Sequence, residues 1–247
     1  MGGLLDRLPI LLEEAEEDIP YLRGNAENLD KDKNGGSSDV LSNVLRLSGI
    51  AEYVVNHDVG IFKKRLREAA SIKLKIIQRF DSGEMISGSL VSMLVYKSLF
   101  DALASGDFSL SEKLASAMGG RNQIEEKNDH PFDRAFGYAL KALVLNLDDQ
   151  ADRVASFKAV TNEPENKDFA GYAEGLEAIQ NNDSIWFLSA LHRVISGHKK
   201  QCKGSGVFKD TEDEVLCVWG LGLINLAKLR GLDVQFDDPL IPGILVA

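Results

Sequence analysis

The chain has 247 residues, enough for one large helical domain or two smaller ones sharing a core. Its 44% hydrophobic and 27% charged residues form a globular balance that excludes a disordered chain. A net charge of −10 argues against nucleic-acid binding, which needs lysine and arginine on phosphate, and suits a basic protein partner.

The opening Met1-Gly2-Gly3-Leu4-Leu5-Asp6 lacks the basic region and apolar core of a secretory signal. The acids Glu13, Glu14, Glu16, Glu17 and Asp18 follow in one run. Asn34-Gly35-Gly36-Ser37-Ser38 ends this first helical region with residues that tolerate left-handed backbone and then cap a new helix. Val40 to Val55 and Ile61 to Phe80 read as two further helices, less sharply bounded. The second carries Lys63, Lys64, Arg65, Arg67, Lys73, Lys75 and Arg79 against Glu68 alone. The acidic run and this basic helix read as solvated faces that lie near one another.

From Ile86 to Leu103 the set Leu90, Met93, Tyr96, Phe100 and Leu103 steps by three or four residues, which predicts one helix. Ser105-Gly106-Asp107 makes a turn, and Ser109 with Glu112 has capping-box spacing. Phe132, Phe136, Leu140, Leu143 and Leu147 form the next stripe. Phe169, Ala173, Leu176 and Ile179 form another, and Phe187, Leu191 and Val194 a further one. Thr211 and Glu214 repeat the capping-box spacing ahead of a helix predicted from Thr211 to Arg230, apolar nearly all round and so expected to be surrounded. Gly231 stops it. Its apolar stretch from Val215 to Ala227, broken by Gly220, Gly222 and Asn225, is too short to span a bilayer, which needs roughly 20 apolar residues. The prolines are expected mostly near helix ends.

Short turns between amphipathic helices predict an all-α fold of antiparallel helical hairpins, packed as a repeat-like bundle in a single domain over 1–247. No constant repeat period supports a regular solenoid. The helical core is expected over 86–247, with further helices over 1–82.

Candidate chemistry is thin. His192 and His198 are six residues apart, on different helix faces. His198 and Cys202 have the i, i+4 spacing but no further ligand in view, so they read as a surface pair at a helix end. Cys202 lies among Lys199, Lys200 and Lys203, which would lower its pKa, yet no partner signature accompanies it. Cys217 reads as core. Two cysteines are too few for a disulfide framework and suit a reduced, cytoplasmic chain. Gly204-Ser205-Gly206 lacks the lysine of a phosphate loop, and Gly220-x-Gly222 follows no strand, so close helix packing explains it better. Two acidic groups, Asp148, Asp149 and Asp152, and Asp210, Glu212, Asp213 and Glu214, resemble the clustered acids with which helical ADP-ribosyl hydrolases hold Mg²⁺. Each also sits at a predicted helix start, where capping and the macrodipole favour acids. No catalytic, cofactor-binding or metal-binding residue is therefore assigned.

From about Leu99 onward the chain resembles the immunity protein 49 family, helical antidotes encoded beside bacterial polymorphic toxins. The resemblance rests on Ala102-Leu103-Ala104-Ser105-Gly106-Asp107, then Leu114-Ala115 and Gly119. It continues in His130-Pro131-Phe132 and Ala139-Leu140-Lys141-Ala142-Leu143. It closes on Trp219-Gly220-Leu221, Ala227, Gly231-Leu232, and Asp238-Pro239-Leu240-Ile241-Pro242 with Leu245. It implies a non-enzymatic function: binding and neutralising a cognate toxin in the cytoplasm. An acidic antidote would be steered onto a basic toxin surface, and Glu13, Glu16, Glu17, Asp210 and Asp213 are the candidate contacts. The alternatives are an ADP-ribosyl hydrolase-like enzyme, or a helical scaffold or regulator without a toxin.

Overall fold

A computed structural model describes residues 3–247. Among them are eleven α-helices and no strand; most are joined by short turns, with longer connections carrying 3-10 turns between Asp81 and Tyr96 and between Gln201 and Val218. They are α1 (Leu4–Glu27), α2 (Gly36–Asn56), α3 (Val59–Asp81), α4 (Tyr96–Ala104), α5 (Phe108–Ala117), α6 (Asn122–Asn128), α7 (Pro131–Leu145), α8 (Gln150–Thr161), α9 (Ala170–Gln180), α10 (Ser184–Gln201) and α11 (Val218–Leu229). The all-α, hairpin-built bundle expected from the sequence is the observed fold. None of the helices is long and apolar enough to cross a membrane.

Sequence-neighbouring helices pack on each other: α1 on α2, α2 on α3, α7 on α8, and α9 on α10. Local chemistry sets their starts. Asp58, Asp107 and Asp183 accept the backbone N–H of Ile61, Leu110 and Trp186, satisfying donors that the first helical turn leaves orphaned. Pro131 opens α7, where its missing N–H costs nothing. Buried Asp32 accepts the N–H and hydroxyl of Ser38 as well as the Arg79 guanidinium, tying the turn before α2 to the end of α3.

α11 lies in the middle, as its all-round apolarity demands. Leu221, Leu223, Ile224 and Leu226 are fully buried, and α11 packs against α4, α9 and α10. Trp219 stacks on Phe100 with centroids 5.5 Å apart, beside Tyr96, Phe136 and Tyr172. Gly220 and Gly222 are there because neighbours come too close for a side chain. A Cβ at Gly220 would lie 2.5 Å from Ile241, and one at Gly222 would lie 2.9 Å from the Phe100 carbonyl. One large core runs from Ile50 to Leu245. α1 attaches at the edge through two smaller clusters, Ile19 with Leu41, Leu45 and Ala69, and Leu8 with Leu12 and Ala51.

Three expected boundaries are corrected, and two prolines fall inside a helix. The stretch predicted as one helix from Ile86 to Leu103 is two 3-10 turns followed by α4. Ser87, Ser89 and Ser92 bond locally there, and Asp129 captures the Met93 N–H. Ser109 lies inside α5, whose cap is Asp107. The last long helix starts at Val218 rather than Thr211, because the Glu214 carboxylate turns back to accept the Asp210 N–H. Pro9 and Pro20 lie inside α1, both on its exposed side.

Candidate functional site

The densest group of charges is interior and centred on Arg46 of α2. Its Nε donates to Asp101 Oδ1 of α4 at 2.8 Å, and its Nη2 donates to Asp213 Oδ1 at 2.7 Å. Nη1 donates to Glu212. Asp101 and Asp213 are buried and Glu212 nearly so, which leaves one guanidinium facing three carboxylates. Burial raises the Asp101 carboxyl to about 6, against the pull of Arg46. Burial also raises Asp213, again opposed by Arg46, with Glu212 adding repulsion.

The loop bearing Glu212 and Asp213 is held from the other side too. His198 Nε2 donates to the Asp213 carbonyl at 2.7 Å while its ring stacks on Phe208, and burial lowers its pKa so that it stays neutral. The cluster is thus a staple that pins residues 208–214 onto α2 and α4. It borders a cleft of ≈ 400 Å³, rimmed by Lys97, Val207 and the Asp39–Lys73 ion pair. A second cleft of ≈ 540 Å³, lined by Lys200, Lys203, Asp133 and Glu165, shares Lys97, Val207 and Trp219 with the first. A third, apolar cleft of ≈ 570 Å³ lies between Leu5, Tyr53, Val215 and Leu240.

The histidine rings that hydrogen-bond, His130 and His198, do so to backbone groups. Among the described residues no three His, Cys, Asp or Glu side chains converge as a metal site. His198 is buried in the core rather than part of a surface pair, a correction of the sequence reading. Cys202 is corrected as well. Burial, then Glu214 and Asp213, push its thiol up to about 11, and Lys203 offsets this only in part. Cys217 is core, pushed up to about 12 by burial. Of the first acidic group, Asp149 is paired with Arg153 at 2.9 Å.

The five acids singled out as contacts fall in two places. Glu13 and Glu17 stand exposed on the outer side of α1. Glu16, one residue away, is turned sideways: it accepts from Ser48 at 2.5 Å and from Arg65 at 2.7 Å. Asp210 is exposed beside Lys209. Asp213 is instead turned inward to Arg46 and is not a surface acid. Sequence reasoning missed Arg46 and Asp101, because their partners lie 55 to 167 residues away and local spacing carries no trace of them.

No family model, curated protein or solved structure matches this chain.

Proposed function

We propose that the chain is a stoichiometric, non-enzymatic inhibitor that binds a basic protein, an antidote of the immunity type acting on a toxin in the cytoplasm of the cell that makes it. The observation that carries this reading is how charge is partitioned. Of the seven cations on the strongly basic helix α3, four are spent internally, Arg65 on Glu16, Arg67 on Asp107, Lys73 on Asp39, and Arg79 on Asp32 and Glu84, while Lys63, Lys64 and Lys75 make no ion pair with a described residue. The chain as a whole is acidic, with a net charge of −10, and exposed acids such as Glu13, Glu14 and Glu17 have no internal partner; such a field steers association with a cationic surface. The resemblance to the immunity protein 49 family supplies the class of partner, a toxin.

The protein encoded beside this gene is the partner to test. Expressed alone it should arrest growth, and co-expression of this chain should restore growth through a complex that co-purifies. A harmless neighbour, or rescue without a complex, would overturn the proposal.

A further inference from the structure

We infer that the outward face of α1, built from Ile10, Glu13, Glu14, Glu17 and Tyr21, is the docking surface for a lysine- or arginine-bearing surface of a protein partner; this rests on the binding function proposed above. α1 buries Leu8, Leu12, Ala15 and Ile19 against its neighbours. At 100° per residue the opposite side carries Ile10, Glu13, Glu14, Glu17 and Tyr21 in steps of three and four. Ile10 is 59% exposed and Tyr21 67% exposed. Isolated surface hydrophobics are ordinary, but here two large ones bracket three carboxylates within about 16 Å of helix.

Two features mark this face. First, Glu13, Glu14 and Glu17 make no ion pair or hydrogen bond with a described residue, whereas Glu16 is held by Arg65 and Ser48. A solvated helix face commonly intersperses lysines at i+4 to such acids. α1 has none; of its two arginines Arg23 is tied to Glu68, and Arg7 stands exposed at the N-terminal edge of this face, about 20° round the helix from Glu14. Second, Tyr21 is a rigid amphipathic ring of the kind that anchors interfaces, and Lys31 already rests over it with its ammonium 5.8 Å from the ring centroid. An incoming cation would find carboxylates whose lone pairs no described donor uses, beside a ring that already holds the Lys31 ammonium over one face. A hydrophobic partner would leave three carboxylates desolvated and unpaired, and an anionic one would be repelled.

The test measures association and dissociation rates of the intact chain with the neighbouring gene's product across a range of salt. It compares wild type, Glu13→Lys/Glu17→Lys, Tyr21→Ala, and the control Glu126→Lys/Asp148→Lys, which makes the same charge change at exposed acids elsewhere. Thermal unfolding of each variant checks that it is folded. The α1 reversal should slow association about 10-fold or more at low salt and flatten the salt dependence. Tyr21→Ala should speed dissociation about 10-fold. The control should move both rates far less. Wild-type binding with both α1 variants unchanged, or with the control equally impaired, would overturn this surface and leave the binding function standing. Failure of the wild type to bind at all would overturn that function, and this surface with it.

Discussion

Removing Arg46 tests the interior staple, and its cost follows from geometry. In Arg46→Met the carboxylates of Asp101, Glu212 and Asp213 keep their places but lose their one counter-charge. Deleting one partner of a buried ion pair costs about 3–5 kcal/mol, since the remaining charge is left desolvated. The loss must depend on pH in a defined direction. The Asp101 carboxyl titrates at about 6 in the fold against 3.8 in its ordinary state, a difference of about 3 kcal/mol in proton affinity. Between those values the folded state holds more protons than the unfolded one, so this group's contribution to stability falls as pH rises. Without Arg46 the carboxyl rises further and stays protonated over a wider range. Urea unfolding should therefore show the full loss near about pH 7.5 and a loss smaller by about 1–2 kcal/mol near about pH 5. Adding Asp101→Asn to Arg46→Met should recover part of the loss at the higher pH. An equal loss at both pH values, or a loss below about 1 kcal/mol, would refute the reasoning.

Three further outcomes follow from packing. Gly197→Ala would drive a Cβ to 1.8 Å from the Asp168 carbonyl, so thermal unfolding should fall by an amount equivalent to about 3 kcal/mol or more; an unchanged midpoint would remove this close approach from the account. Leu223→Ala in fully buried α11 should cost about 2–5 kcal/mol by denaturant titration, and Leu223→Asp should leave no soluble folded protein; recovery of a folded Asp variant would contradict the central placement of that helix. The raised Cys202 thiol should react with iodoacetamide at neutral pH far more slowly in the folded protein than in urea, and Cys217 only in urea; rapid labelling of folded Cys202 would show a thiolate that this environment forbids.

Stripes that repeat on one element were legible in the sequence. Phe132, Phe136, Leu140 and Leu143 step along α7 and point into the core, although Leu147, expected to continue that stripe, lies beyond the helix and is exposed; α11 reads as surrounded because it has no polar face. Glycine turns were legible for the same local reason. Gly83, Gly106 and Gly231 all adopt positive φ just after a helix ends. What local pattern could not convey was competition from distant partners. The 90–103 stripe has helical spacing, yet Asp129 takes a donor that the helix would need, and two 3-10 turns result. Asp213 looks like any acid before a helix until Arg46 arrives from α2. His198 and Cys202 sit among lysines in sequence, but the ring and thiol turn inward toward the Asp213–Glu214 backbone. Of the outward face of α1, Glu13 and Glu17 were legible as surplus charge. Tyr21 and Ile10 became part of that face only once the buried side of the helix was known.

The central claim is that this protein works by occupying a partner rather than by turnover. It is tested most directly by titrating the chain into a fixed amount of the proposed toxin, the neighbouring gene's product, and following residual activity. Inhibition should rise linearly and end sharply at one equivalent. Protection by a small fraction of an equivalent, growing with incubation time, would contradict the account.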